Sequence, residues 1–321
     1  MGQKYRKKEE LQMNFTSLIT LLVIIGVYSW QASRESKVGG ATTWEHFKPS
    51  LERYSGFREL LLFVGFLLFY KLSRGLAIGD DATAFENAKR VVVWEYNLGI
   101  LYELQIQQFF LDKTTLFKVI NWVYIKLHIP TTILFFVWLF YRRRNYYLFI
   151  RNGFLIANVI TLFFFVGFPC APPRMLNDLT AWGPGIINDL AAMGIHLGDG
   201  FVDTLLEISE INLYKGVNSK LFNKYAAMPS MHFGNSLLIG IVVTMLTKNF
   251  LTKALIWLYP VFVLLVIVMT GNHFFLDAAL GGFLVLFSYG MMLLLQKIFP
   301  SLKESFWGTE RLAAFDAKKG G

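Results

Sequence analysis

The chain has 321 residues, of which 55% are hydrophobic and only 17% charged, against roughly 25% charged in soluble globular domains. With 31 Phe and a mean hydropathy of +0.45, it is neither a disordered chain nor an ordinary soluble enzyme, and a bilayer is its expected solvent. A net charge of +9 in so apolar a chain sets orientation or meets anionic head groups rather than nucleic acid, and the lone Cys170 excludes an intramolecular disulfide or a cysteine-rich metal cluster.

A bilayer crossing needs about 20 predominantly apolar residues. Such stretches are predicted at 14–30, 57–78, 116–141, 147–168, 232–247, 252–271 and 274–296. The first follows a basic head, Lys4, Arg6, Lys7 and Lys8, and lacks a small-residue cleavage site, so it is expected to remain as an anchor. Residues 31–56 read as a short polar connection. The apolar stretch 91–111 carries Glu95, Asn97, Glu103, Gln105, Gln107 and Gln108. It either crosses with its polar side inward or lies in the interface as an amphipathic helix, which leaves seven or eight spans.

Residues 169–231 form the longest region outside the spans. It opens on Pro169, Pro172 and Pro173 and has a predicted turn at Gly183-Pro184-Gly185. Further on, Phe201, Leu205 and Ile208 recur at helical spacing opposite Asp203, Glu207 and Glu210, which predicts a short surface helix. Positive charge marks cytoplasmic connections. Arg142, Arg143 and Arg144, then Lys248 and Lys253, then the tail with Lys297, Lys303, Arg311, Lys318 and Lys319, all fall on one side by span parity. The 169–231 region is then expected on the extracytoplasmic side. The basic N-terminus agrees only if 91–111 crosses.

Three polar clusters sit at span ends. The first is Phe168-Pro169-Cys170-Ala171-Pro172-Pro173-Arg174, the second Ala227-Met228-Pro229-Ser230-Met231-His232, and the third runs from Thr270 through Gly271, Asn272 and His273 to Asp277. Span parity alone puts all three on one membrane face. His273 and Asp277 are four apart at a helix start and share a face. A carboxylate there can fix the tautomer of the imidazole and leave its other nitrogen basic, as a nucleophile or general base. His232 can serve as the complementary acid. Arg174 offers a planar fork for phosphate oxygens, and helix-start amides near Ser230 and Asn272 suit an anion. These residue types describe phosphoryl transfer that needs no metal and no cofactor.

Pro229-Ser230-x-His232 followed by His273-x3-Asp277 resembles the type 2 phosphatidic acid phosphatase superfamily of membrane lipid phosphatases and phosphotransferases. Ala171-Pro172-Pro173-Arg174, Ala226 to His232 and Thr270-Gly271-Asn272-His273 resemble its inositol phosphorylceramide synthase-like branch. So do Trp94-Glu95-x2-Leu98-Gly99 with Glu103 and Gln107, and Asn121-x2-Tyr124-x3-His128. The resemblance covers about 85–285. It implies an all-α polytopic membrane bundle, with a six-helix lipid-phosphatase-like core and extra N-terminal helices. The implied organisation is an N-terminal anchor region at 1–84, a catalytic membrane domain at 85–298 and a cytosolic tail at 299–321.

By the same resemblance His273 attacks phosphorus to give a phosphohistidine, Asp277 orients it, and His232 protonates the leaving oxygen. Arg174, Ser230 and Asn272 hold the phosphoryl group. Two positions depart from the superfamily pattern: Ile267 and Phe168 stand where an Arg and a Lys are expected. Fewer cations suit a singly charged phosphodiester, with Lys224 and Lys220 as compensation. The expected function is transfer of a phospho-head group, plausibly phosphoinositol, from a membrane phospholipid to a lipid hydroxyl. Water as acceptor would make the protein a lipid phosphate or prenyl pyrophosphate phosphatase.

Plainer readings compete. A His-x3-Asp pair can be a structural cap, and Arg174 can snorkel to head groups. Glu95 and Glu103, eight apart, either bind a polar head group or cap a buried interface; they also motivate a lipid or ion transporter. Tyr124 and His128 either line a lipid site or, for His128 near Pro130, make a helix contact. The residues leave the oligomeric state open.

Overall fold

The computed structural model describes residues 43–76, 79–177, 179–212, 223–300 and 302, and the regular structure among them is helical. The anchor at 14–30, Lys220 and all of the tail after 300 except Leu302 lie outside the described residues. Two compact units are present. One comprises 1–72 with 215–220, and includes most of helix α1 (Thr43–Leu76). The polar connection expected at 31–56 therefore ends by Thr43. Leu51, Glu52, Arg53 and Glu59 are good helix formers and carry the helix back into the polar stretch.

The second unit, 73–214 with 221–321, holds helices α2 (Asp81–Leu98), α3 (Glu103–Phe110), α4 (Thr114–Lys126), α5 (His128–Arg142), α6 (Arg144–Gly167), α7 (Gly183–Ala192), α8 (Thr204–Glu207), α9 (Met231–Leu246), α10 (Phe250–Ile256), α11 (Leu258–Met269) and α12 (Phe275–Ile298). Among the described residues three helical segments are long and apolar enough to cross a bilayer: Arg144–Gly167, Phe250–Met269 and Phe275–Ile298. The pair α4 and α5, bent by 48°, makes a fourth if counted as one, and α9 is a shorter apolar helix. The stretch at 57–78 is not among them, because Arg58, Glu59, Lys71 and Arg74 border its apolar part.

Residues 91–111 are not one crossing helix. Asp80 caps the start of α2 by accepting from Thr83 N at 2.8 Å. Gly99, at φ 68°, ends it and returns its N–H to the carbonyls of Glu95 and Tyr96. The chain restarts as α3 four residues later, so the parts of 91–111 on either side of the break are each too short to span. The bend between α4 and α5 has an equally local cause. Pro130 has no N–H to give to Lys126, so the α4 ladder stops there, and the proline is tolerated in the first turn of α5.

The 169–231 region is folded over α2. Ala84, Phe85, Ala88, Val91 and Val92 of α2 form an apolar core with Leu176, Leu190, Leu197, Phe201 and Tyr225. Gly183-Pro184-Gly185 is not a free-standing turn but the start of α7, with Pro184 in its first turn. The predicted short helix exists as the single turn α8, with Phe201 and Leu205 buried and Asp203 capping it through Leu206 N at 3.1 Å.

Helices α9 and α12 cross where their starts meet. A Cβ on Gly281 would strike the Ser230 carbonyl, and one on Gly234 would fall 2.7 Å from the Gly281 carbonyl. Only glycine allows that approach. Farther along, Ser288 Oγ and Tyr289 Oη donate to the carbonyls of Gly153 (3.0 Å) and Ile150 (2.6 Å), which ties α12 to α6. At the opposite end of α9, Arg143 donates to the Leu246 carbonyl at 3.2 Å. The basic connection at 142–144 thus lies beside the connection that carries Lys248.

Candidate active site

The three clusters are stitched together by main-chain bonds. Cys170 N donates to Tyr225 O at 2.8 Å and Ala227 N to Cys170 O at 3.3 Å, which joins the first cluster to the second. Arg174 N donates to Gly271 O at 2.7 Å, joining the first to the third, and Ser230 N to Asp277 O at 2.8 Å, joining the second to the third. The convergence expected from span parity is present in the geometry. Cys170 is fully buried, and burial pushes its thiol well up, so it is held as packing rather than as a nucleophile.

His273 stands just before α12. Its Nδ1 donates to the Ala227 carbonyl at 2.7 Å, and Asp277 Oδ2 lies at 3.5 Å from the same nitrogen. A carbonyl can only accept, so Nδ1 carries the proton and the lone pair is on Nε2. The tautomer is therefore set chiefly by a main-chain carbonyl, where the sequence suggested the carboxylate. Asp277 supplies charge behind the ring and spends Oδ2 on Phe274 N at 2.9 Å. His273 Nε2 is buried with no hydrogen-bond partner among the described residues.

His232, in the first turn of α9, has its ring centroid 5.6 Å from that of His273. Tyr124 stacks on its face at 4.6 Å and His128 lies against it at 4.6 Å, tilted by 42°. The bend at Leu127 brings His128 here, so Tyr124 and His128 flank the candidate acid. His128 Nδ1 is also buried without a partner among the described residues. Among the described residues no three His, Cys, Asp or Glu groups converge as metal ligands.

The anion-binding candidates divide. Arg174 is buried, with Nε 3.6 Å from Asp203 Oδ2. Ser230 Oγ is buried, makes no cap bond to its own helix and has no partner among the described residues. The first-turn amides of α9 also lack intrahelical partners. By contrast Asn272 Nδ2 donates to Thr270 Oγ1 at 2.7 Å and its main-chain N to Ile267 O at 3.0 Å, so it braces the loop. Lys224 pairs with Asp81 at 3.1 Å and lies over the Tyr225 ring. The Tyr225 hydroxyl and then Lys224 hold the Asp81 carboxyl below the usual carboxylate range. Lys224 is thus tied to the start of α2.

Glu95 and Glu103 meet the start of α12. Glu103 Oε1 accepts from Phe275 N at 2.8 Å and Glu95 Oε1 from Leu276 N at 2.7 Å. These are amides that a helix start leaves without intrahelical partners, and the negative charge there opposes the helix dipole. The Oε2 atom of each carboxyl is buried without a partner among the described residues. Burial, then the neighbouring Glu103 carboxyl, pushes Glu95 up to about 10, and burial raises Glu103 as well. The amide positions expected to meet an anion near Asn272 are therefore occupied by the protein's own carboxylates.

Sequence reasoning named Asp203 and Gln107 without the contacts they make and did not single out Arg74. Asp203 was visible only as part of a polar helix face, and its approach to Arg174 depends on the fold of the 169–231 region. Arg74, whose guanidinium lies 5.6 Å from the Phe165 ring, is within electrostatic reach of His232 and Tyr124. No local pattern marks it. Gln107 makes three bonds to two other segments of the chain, accepting from Val202 N at 2.8 Å and donating to the carbonyls of Val202 (3.1 Å) and Met269 (3.0 Å). Phe168, where a Lys was expected, stacks on Trp94 at 5.9 Å, and Ile267, where an Arg was expected, is fully buried.

Residues 89–291 match the model of the PAP2 superfamily. Neither the curated proteins nor the solved structures give a match.

Proposed function

The chain belongs to the PAP2 superfamily, whose members are phosphatases and phosphotransferases, and on that premise we propose that it moves a phospho-head group, plausibly phosphoinositol, from a phospholipid to a lipid hydroxyl. The observation that carries the reading is the state of His273: Nδ1 given to the Ala227 carbonyl, Nε2 buried and unpartnered, and the His232 ring 5.6 Å away.

His273 Nε2 attacks phosphorus and the bond from phosphorus to the leaving glycerol oxygen breaks. That oxygen takes up a proton through His232. The acceptor oxygen then attacks phosphorus, the P–N bond breaks, and the hydroxyl proton returns to His232. Asp277 opposes the positive charge that the His273 ring gains on phosphorylation. Arg174 and Ser230, with the first-turn amides of α9, hold the phosphoryl oxygens. Apolar packing at Phe168 and Ile267 supports a singly charged phosphodiester over a doubly charged monoester. The site is proposed to open on the extracytoplasmic side, opposite the basic connections. Engagement of Glu95 and Glu103 with α12 amides removes the motive for a transport path through them.

The test uses purified protein in mixed micelles with labelled phosphatidylinositol and ceramide or diacylglycerol, beside phosphatidic acid and a prenyl pyrophosphate, with His273→Ala as blank. Label on the acceptor lipid, absent in the blank, is the expected result. Free phosphate from the monoester or pyrophosphate without transfer would reassign the protein as a phosphatase. Transport of an ion or lipid that survives in the blank would overturn the enzyme reading.

A further inference from the structure

A partly open cavity of about 110 Å³ lies beside the candidate acid. Val123 and Leu127 of the α4 end wall it on one side, and Phe262, Val263 and Val266 of α11 on the other. Its polar groups are Tyr124, His128, His232 and Tyr259. We propose that this cavity is the acceptor pocket, which receives the hydroxyl-bearing end of a lipid alcohol entering sideways from the bilayer. The proposal rests on phosphoryl transfer through His273.

Three observations carry it. The volume is several times the ~30 Å³ share of one water, and a cavity walled mostly by apolar side chains holds water poorly. An occupant with an apolar body and one polar end matches such a lining. Second, the wall of the cavity is also the outer wall of the bundle. Leu127 and Phe262 line it yet remain 39% and 42% exposed, and Leu127 stands at the 48° bend between α4 and α5. An apolar molecule in the bilayer would reach the cavity there without crossing an aqueous phase.

Third, the polar groups are placed for the second chemical step. His232 borders the cavity and faces His273 at 5.6 Å between ring centroids. A hydroxyl beside His232 would lose its proton to that ring as its oxygen bonds to phosphorus and the P–Nε2 bond breaks. His128, at 4.6 Å from His232 and with Nδ1 unpartnered among the described residues, offers the hydroxyl a second polar contact. It acts as a binding and positioning residue. A second, more open groove of about 430 Å³, lined by Tyr102, Phe233, Leu264, Phe275 and Ala279, touches neither His232 nor His273 and serves as an internal control.

The experiment measures two products from labelled phosphatidylinositol and a short-chain diacylglycerol: label transferred to the alcohol and label released to water. Val263→Phe fills the cavity and Leu127→Trp blocks its outer wall, so one variant reports if the other fails to fold. Either should lower the transfer-to-hydrolysis ratio at least tenfold, while Ala279→Phe in the outer groove leaves it at the wild-type value. An unchanged ratio in the folded cavity variants would overturn the pocket, as would a fall produced by Ala279→Phe instead. If wild-type His273 never takes up label from the donor, the reading of the site itself fails, and the pocket with it.

Discussion

The carboxylates gathered at the start of α12 are fully buried and the imidazoles beside them less so, and the two groups use their hydrogen-bonding capacity differently. Glu95, Glu103 and Asp277 accept from three successive main-chain amides, Leu276, Phe275 and Phe274. The residue that precedes these amides is His273, so the carboxylates fix the base on which it stands. His273 commits one nitrogen and leaves Nε2 idle, and His128 leaves Nδ1 idle. An idle buried polar atom costs on the order of 1–3 kcal/mol, and a fold keeps such a cost where a ligand will repay it. Each carboxyl also leaves one oxygen without a partner among the described residues (Glu95 Oε2, Glu103 Oε2, Asp277 Oδ1), so the contrast lies in what is held: the carboxylates, which fix three successive amides, read as scaffold, and the imidazoles, whose idle atom is a ring nitrogen, as chemistry.

Removing the idle nitrogen should give the largest effect. His273→Ala loses the nucleophile, and turnover of labelled donor should fall by at least ~10³-fold. Its fold loses little beyond one hydrogen bond of about 1 kcal/mol, so the circular dichroism spectrum should match wild type and thermal unfolding shift by only a few degrees. A residual rate within tenfold of wild type would move the chemistry to another group. The scaffold should respond the other way. Glu103→Ala strands the Phe275 amide in a buried place, a loss of roughly 1–3 kcal/mol, so the unfolding midpoint should drop by several degrees. Activity per folded molecule should fall far less than in His273→Ala. Normal stability with abolished turnover would break the distinction and put Glu103 in the reaction.

How much of this was legible beforehand depends on whether a feature is local. The breaks at Gly99 and Pro130 have local causes in cap and ring chemistry, but the apolar runs 91–111 and 116–141 masked them, whereas the convergence of three clusters needs only the parity of spans. The hydrogen-bond partner of His273 could not be read that way. Spacing puts Asp277 on its face, but the nearer acceptor is a carbonyl 46 residues back at Ala227, fixed by the fold of the 169–231 region. Glu95 and Glu103 lie eight apart, a helical spacing, yet they stand on different helices because Gly99 breaks the chain between them. Lys224 is basic and adjacent to the second cluster, but the start of α2 supplies Asp81 as a competing partner. Residue type gave the chemistry available, and long-range packing decided which groups were spent.

The smallest expected effect tests the proton in the carboxylate cluster. Raised to about 10 by burial and by the neighbouring Glu103 carboxyl, Glu95 holds its proton across neutral pH in the folded state, whereas an unfolded glutamate releases it near pH 4.3. Between those values the folded state binds more protons than the unfolded state, so this group's contribution is fully present at low pH and is lost as pH rises toward 10. The slope cannot exceed ~1.4 kcal/mol per pH unit for one proton. Glu95→Gln mimics the protonated side chain: its carbonyl oxygen can still accept from Leu276 N, and it brings no charge up beside Glu103. Unfolding midpoints in detergent at pH 5, 7 and 9 should therefore fall more steeply for wild type than for Glu95→Gln, with the gap widest at pH 9. Parallel curves would mean that Glu95 is ionised in the fold and that the pair carries two charges against the α12 dipole.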